Sequence, residues 1–130
     1  MPHVILQGTV DLARVAQSLA GEVGRWGPAV IKTEAAWFRS DGLAVLVEGV
    51  VVEHSRPLHP VAVISENKGD TNVRLWRLAP VERTPAVQRW LASLANELRQ
   101  LGAGPLKSTN IATELWDDLS LESEDQGLTV

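Results

Sequence analysis

The sequence predicts an α+β fold. Its elements run β-α-β-β-β-β-α(-β), a two-layer sandwich with two amphipathic helices on one face of a single mixed sheet. Three observations predict it. Two stretches, around Leu12–Val23 and Val87–Leu101, repeat apolar residues at the three-to-four spacing of a helix. Between them lie runs rich in β-branched residues, punctuated by glycine-bearing turns. Each helical stretch is apolar on one side only, so both have to bury that side against the same sheet.

The elements follow in order. His3 to Gln7 reads as a short strand closed by Gly8. Thr9 then suits a helix N-cap, with Leu12, Val15, Ala16, Leu19, Ala20 and Val23 on the apolar side and Arg14, Gln17, Ser18, Glu22 and Arg25 opposite. The pattern predicts a helix to about Arg25, weakened by Gly21 and Gly24 and ended by Gly27-Pro28. Ala29 to Arg39 is a strand, and Ser40-Asp41-Gly42 a tight turn. Leu43 to Val52 is almost unbroken in apolar residues, the pattern of a strand covered on both faces, or by a helix on one and another subunit on the other. Strands from about His59 to Ser65 and from Val73 to Leu78 follow, joined by the turn Asn67-Lys68-Gly69-Asp70.

The second helix is the clearest element. Thr84 caps it and Pro85 takes the first helical position, where a missing N–H costs nothing. Val87, Trp90, Leu91, Leu94, Ala95, Leu98 and Leu101 form its apolar stripe, and Gly102, Gly104 and Pro105 stop it. Residues 106–115 read as a last strand or an irregular arm. Residues 1–116 thus form one domain, and 117–130, acidic and without a base, read as a solvated, mobile tail.

Composition narrows the function. The 130 residues are 45% hydrophobic and 22% charged, ordinary for a soluble globular domain. A net charge of −4 gives no global field for nucleic acid or an anionic membrane. With no cysteine there is no disulfide, thiol nucleophile or thiolate metal site, which fits a reducing cytoplasm, the expected location. No signal peptide or membrane span is legible. No cofactor motif is present either: the glycines at 21, 24 and 27 are not a phosphate loop, and no Gly-x-Ser-x-Gly elbow occurs. His54 and His59 flank a proline loop without metal-ligand spacing, so no metal site is assigned. Arg74, Arg77, Arg83, Arg89 and Arg99, with Trp76 and Trp90, invite a nucleic-acid reading, but the chain is acidic and alternation sends Arg77 to the face opposite Arg74 and Trp76, so no basic stripe forms.

Chemistry enters at the start of the chain. Were Met1 removed, Pro2 would present a free secondary amine tethered to the sheet. Such an α-amine titrates near ~8, lower among apolar walls or beside a cation, and when neutral acts as a general base. A Met-Pro start is also common without catalytic consequence, and the residues leave both readings open.

Met1-Pro2-His3-Val4-Ile5, an amphipathic helix, then a strand ending in a glycine turn resembles the tautomerase superfamily, which includes 4-oxalocrotonate tautomerase and macrophage migration inhibitory factor. The likeness covers roughly residues 1–47. It implies two β-α-β units on one sheet, a homo-oligomer (a trimer), and a tautomerase or isomerase acting on a small keto/enol carboxylate. It implies Pro2 as the catalytic base, with Lys32 beside it to lower its pKa and hold the substrate carboxylate, and Arg39 as a second candidate for that task. Residues 54–83 stand as an insertion in this scheme. The competing reading is a non-enzymatic oligomeric α+β module that binds a protein partner. The long apolar strand and the tryptophans at 37 and 76 suit it equally, because a sheet with both helices on one side leaves its other face in need of cover.

Overall fold

The computed structural model describes residues 1–19, 21 and 23–122. The chain runs β1 (His3–Leu6), α1 (Leu12–Ser18), β2 (Val23–Trp26), β3 (Ala29–Phe38), β4 (Ala44–Glu53), β5 (Arg56–Leu58), β6 (Val61–Asn67), β7 (Asp70–Leu75), α2 (Pro85–Gln100) and β8 (Leu106–Thr109). A 3-10 turn follows at Thr113–Leu115. The fold is α+β, and the sheet is ordered β2-β3-β4-β6-β7-β1-β8, with β5 pairing with β4. Every pairing is antiparallel, so the sheet is not the mixed one expected.

Short turns explain the run from β2 to β7. Asp41 accepts the Leu43 N–H at 2.9 Å and the Gly42 N–H reaches the Arg39 carbonyl at 2.8 Å, closing β3 onto β4. His54 and Ser55, at φ 55° and 62°, make a two-residue hairpin turn, as do Lys68 and Gly69 at 54° and 83°. β5 and β6 line the same side of β4 in succession, separated by His59-Pro60, whose Pro60 carbonyl accepts the Gly49 N–H at 2.9 Å. Residues 54–83, expected as an insertion, therefore supply the middle of the sheet. β1 enters between β7 and β8, with Val4 opposite Val73 and Leu6 opposite Thr71.

Two helix expectations change. Asp11, not Thr9, caps α1, accepting from the N–H of Ala13 at 3.1 Å and of Arg14 at 3.4 Å. The helix ends at Ser18, and Val23–Trp26, read as its last turns, pairs with Ala29–Lys32 as β2. Gly21 and Gly24 are poor helix formers, and strand pairing wins over a periodicity they weaken. Ala20 and Glu22 lie outside the described residues. α2 matches its expected span, with the Thr84 hydroxyl accepting the Val87 N–H at 3.2 Å.

The buried alternate positions of the strands fall on one side of the sheet by register: Val4, Val73, Ile64, Val45, and in the next row Ala62 and Val47. The apolar sides of α1 and α2 join them in one cluster. Gly49 lies on this side because Trp90 needs the space: a Cβ there would stand 2.5 Å from two ring carbons. The indole N–H of Trp90 donates to the Thr33 hydroxyl at 3.2 Å, so the ring is buried with its one polar atom bonded.

The acidic end is folded at its beginning. Leu121, assigned to the mobile tail, is fully buried, and its carbonyl accepts from the Leu106 N–H at 2.7 Å and from Arg99 Nη1 at 2.8 Å. Asp118 pairs with Arg89. The charge count hid the leucines at 119 and 121, which pack against the core cluster. Residues 123–130 of the expected tail lie outside the described residues.

Candidate functional site

Two regions carry the functional evidence: the start of β1 and the face of the sheet turned away from the helices.

Pro2 is buried at the entrance to β1, its carbonyl accepting the Leu75 N–H at 3.3 Å. Its nitrogen is acylated by Met1 in the full chain. Asn110 clamps this end: its Nδ2 donates to the Met1 carbonyl at 2.9 Å and its Oδ1 accepts the His3 N–H at 2.9 Å. Thr109 adds a hydroxyl hydrogen bond to the His3 carbonyl at 2.7 Å. Four pairing atoms thus fix the direction of the first residues. Met1 borders a recess of about 180 Å³ shared with Trp76, Pro80, Arg77 and Arg83. A wider groove of about 520 Å³ shares Met1, Trp76 and Arg77 and adds Arg74 and Val63.

Lys32 is not in this neighbourhood. It lies on β3, and β4, β6 and β7 separate that strand from β1. Four inter-strand spacings amount to roughly 19 Å along the sheet. Its ammonium pairs with Glu34 at 3.0 Å. Arg39 ends β3 and grips Asp41 with both guanidinium edges, Nε to Oδ1 at 2.8 Å and Nη2 to Oδ2 at 2.6 Å. The Arg39 hydrogen bond, helped by the Leu43 N–H, holds the Asp41 carboxyl below the usual carboxylate range. That arginine closes the β3–β4 turn. The three residues named from the resemblance are therefore not brought together, because β1 pairs with β7 rather than beside the strand that follows the first helix.

The cations that do meet the N-terminal end are Arg74, Arg77 and Arg83. Arg74 faces His3 across the β1–β7 pair. The expectation that Arg77 points away from Trp76 fails because β7 ends at Leu75, so strand alternation no longer governs residue 77. Both arginines line the wider groove. Proximity to Pro2 was not readable locally, since more than 70 residues separate the partners. Among the described residues no group of three or more His, Asp or Glu side chains could hold a metal ion.

The second region is the far face of the sheet. Register places Trp37, Leu46, Val63, Arg74 and His3 in one row across it, and Ala35, Glu48 and Val61 in the next. Val30, Val50, Val52 and Ile5 share that face and are half-buried. Trp37 is 59% exposed, and its indole N–H donates to the Glu48 carboxylate. This partner explains a carboxylate in the most apolar strand without an arginine beside it. No helix of the described residues is long and apolar enough to cross a membrane. No family model, curated protein or solved structure matches this chain.

Proposed function

We propose that this chain is a non-enzymatic, self-associating α+β module whose contact surface is the side of the sheet opposite the helices. The observation that supports this reading is the largely apolar composition of that surface: Trp37, Leu46, Val50, Val52, Val61 and Val63 lie on the side that no helix of the described residues covers, with Lys32 and Glu48 among them. Apolar surface of this extent, crossed by a few charged groups, is characteristic of a docking face rather than of a solvated one. Lys32 on β3 is matched to Glu34, and Arg39 just beyond it to Asp41, so neither cation named from the resemblance is left free for a substrate carboxylate. Light scattering on the purified chain tests the reading. A mass that is a multiple of 14.1 kDa, falling to that value in Trp37→Lys, supports it. A single-chain mass for the unmodified protein at about 100 μM overturns it.

A second reading keeps Pro2 as a general base, and one observation favours it: the recess beside Met1 carries Arg77 and Arg83 on its wall. In this version those arginines, rather than Lys32 and Arg39, hold a small carboxylate substrate and favour the neutral amine. Intact mass establishes whether Met1 is removed; retention leaves an amide nitrogen and ends the reading. Ketonisation of a phenylpyruvate-type enol, abolished in Pro2→Ala, is the result it requires.

A further inference from the structure

The sheet has an unpaired stretch that is neither terminal nor capped. β2 pairs with β3 over Ala29–Lys32, and the Gly21 N–H still donates to the Thr33 carbonyl at 2.9 Å, so the paired length of this edge ends at Thr33. From Ala35 to Phe38, β3 has β4 on one side and no strand on the other among the described residues. The Arg39 N–H points toward β4, where it donates to the Ala44 carbonyl at 2.9 Å. By the alternation of an antiparallel strand, the N–H and C=O groups of Ala36 and Phe38 point outward, away from β4.

Within Ala35–Phe38 this edge carries no charge and no proline; the Lys32–Glu34 pair stands just before it. Native open edges carry lysine, proline or inward charges, or are covered. At the opposite edge of the sheet, the Leu106 N–H is already occupied by the Leu121 carbonyl. Besides Glu34, the exposed residues of β3 are Trp37 and Phe38, at 59% and 47%. The Trp37 indole is drawn back toward β4 by its hydrogen bond to Glu48.

We infer that Ala35–Phe38 pairs antiparallel with the same segment of a second copy, about a two-fold axis passing at Trp37. This inference rests on the self-association proposed above and places a contact at the β3 edge, with Trp37 the residue that this edge shares with the uncovered face. One register satisfies the outward groups: Ala36 opposite Phe38 of the other copy, and Phe38 opposite its Ala36. Each such pair exchanges two hydrogen bonds, four in all, and the two Trp37 residues meet as a non-hydrogen-bonded pair. The large Phe38 then lies against the small Ala36, on the side of the sheet that carries the helices. Residue 33 of one copy faces residue 41 of the other, so each β2 sits past the tip of the other's β3–β4 turn. Sheet order continues from one copy into the next.

The area fixes the strength. Trp37 and Phe38 offer roughly 200 Å² of exposed aromatic surface per chain. Twice that, with the strand backbones, falls below the roughly 1,200 Å² of a standard interface. The dimer is accordingly weak and concentration-dependent, in the micromolar range.

The chain contains no cysteine, so one thiol can report the axis. Trp37→Cys places two thiols across a non-hydrogen-bonded pair, where Cα separations of about 5 Å allow a disulfide. Ala35→Cys places them about 13 Å apart, four residues along the strand, and serves as control. The expected result under mild oxidation is a covalent dimer for Trp37→Cys and none for Ala35→Cys. Ala36→Pro, which removes one outward N–H and blocks the edge, is expected to raise the dimer Kd at least tenfold. Sedimentation of the unmodified chain separates the two claims. A single-chain mass at every concentration overturns the parent reading and this one together. An oligomer in which Trp37→Cys does not cross-link, or in which both cysteine variants do so equally, overturns the edge pairing and leaves self-association standing.

Discussion

Gly49→Ala is the sharpest single-atom perturbation in this fold. The added methyl would stand 2.5 Å from Cε2 and Cζ2 of Trp90 and 3.0 Å from its Nε1. Normal carbon contacts need about 3.5 Å or more, so the ring has to move by about 1 Å. Trp90 is 1% exposed and packed within the core cluster, and its Nε1 is tied to Thr33 Oγ1 at 3.2 Å. Overpacking of this kind costs about 1–3 kcal/mol, and breaking the indole hydrogen bond adds about 1 kcal/mol. A loss of about 3 kcal/mol is therefore expected. With an unfolding entropy of about 0.27 kcal/mol/K for 130 residues, the Tm falls by about 11 °C. Urea titration followed by tryptophan fluorescence reads the free energy, and a thermal scan reads the Tm. Trp90→Leu should relieve part of the clash, so that the double variant is less destabilised than the two single losses added together. A Tm shift under about 2 °C, or strict additivity in the double variant, refutes the packing argument.

Three other outcomes follow from the same structure. Leu121→Ala is expected to cost about 2–4 kcal/mol in urea unfolding, because the side chain is fully buried; no change would restore the solvated-tail reading of residues 117–122. Thr84→Ala removes the cap that receives the Val87 N–H and should lower stability by about 1 kcal/mol, or about 4 °C in Tm, with Thr84→Ser restoring most of it. The Arg89 hydrogen bond holds the Asp118 carboxyl below its usual range. A folded-state value below the unfolded one gives stability that is complete above about pH 5 and is lost as pH falls through the folded value. Asp118→Asn should therefore flatten the acid side of the stability profile, by under ~1 kcal/mol because the carboxylate is largely exposed. An unchanged profile refutes the pairing.

Legibility in the sequence divided along the distance over which information acts. α2 could be read because cap, first-position proline, stripe and stop signals all lie within 20 residues and agree. The β3–β4 and β6–β7 hairpins were equally readable, since Gly42 and Lys68-Gly69 meet the positive φ their turns require. The last part of α1 was misread because Val23 continues a helical spacing, whereas its partner Lys32 on β3 decides the outcome. β1 had no local signal for its neighbours: Val4 pairs with Val73 and Thr109. The candidate site failed for that same reason. Placing Lys32 beside Pro2 assumes a strand-helix-strand unit closing on itself, and antiparallel pairing of β1 with β7 puts Arg74 and Arg77 there instead. The uncovered apolar face was anticipated from the Leu43–Val52 run, since composition alone requires somewhere for those side chains to go. Which edge stays open depended on where β2 stops, and no residue of β2 announces that.

Sedimentation equilibrium on the unmodified chain, over about 1–100 μM, addresses the central claim most directly. The account requires a weight-average mass that climbs with concentration from 14.1 kDa toward twice that figure. A value that stays at 14.1 kDa across the whole range contradicts it.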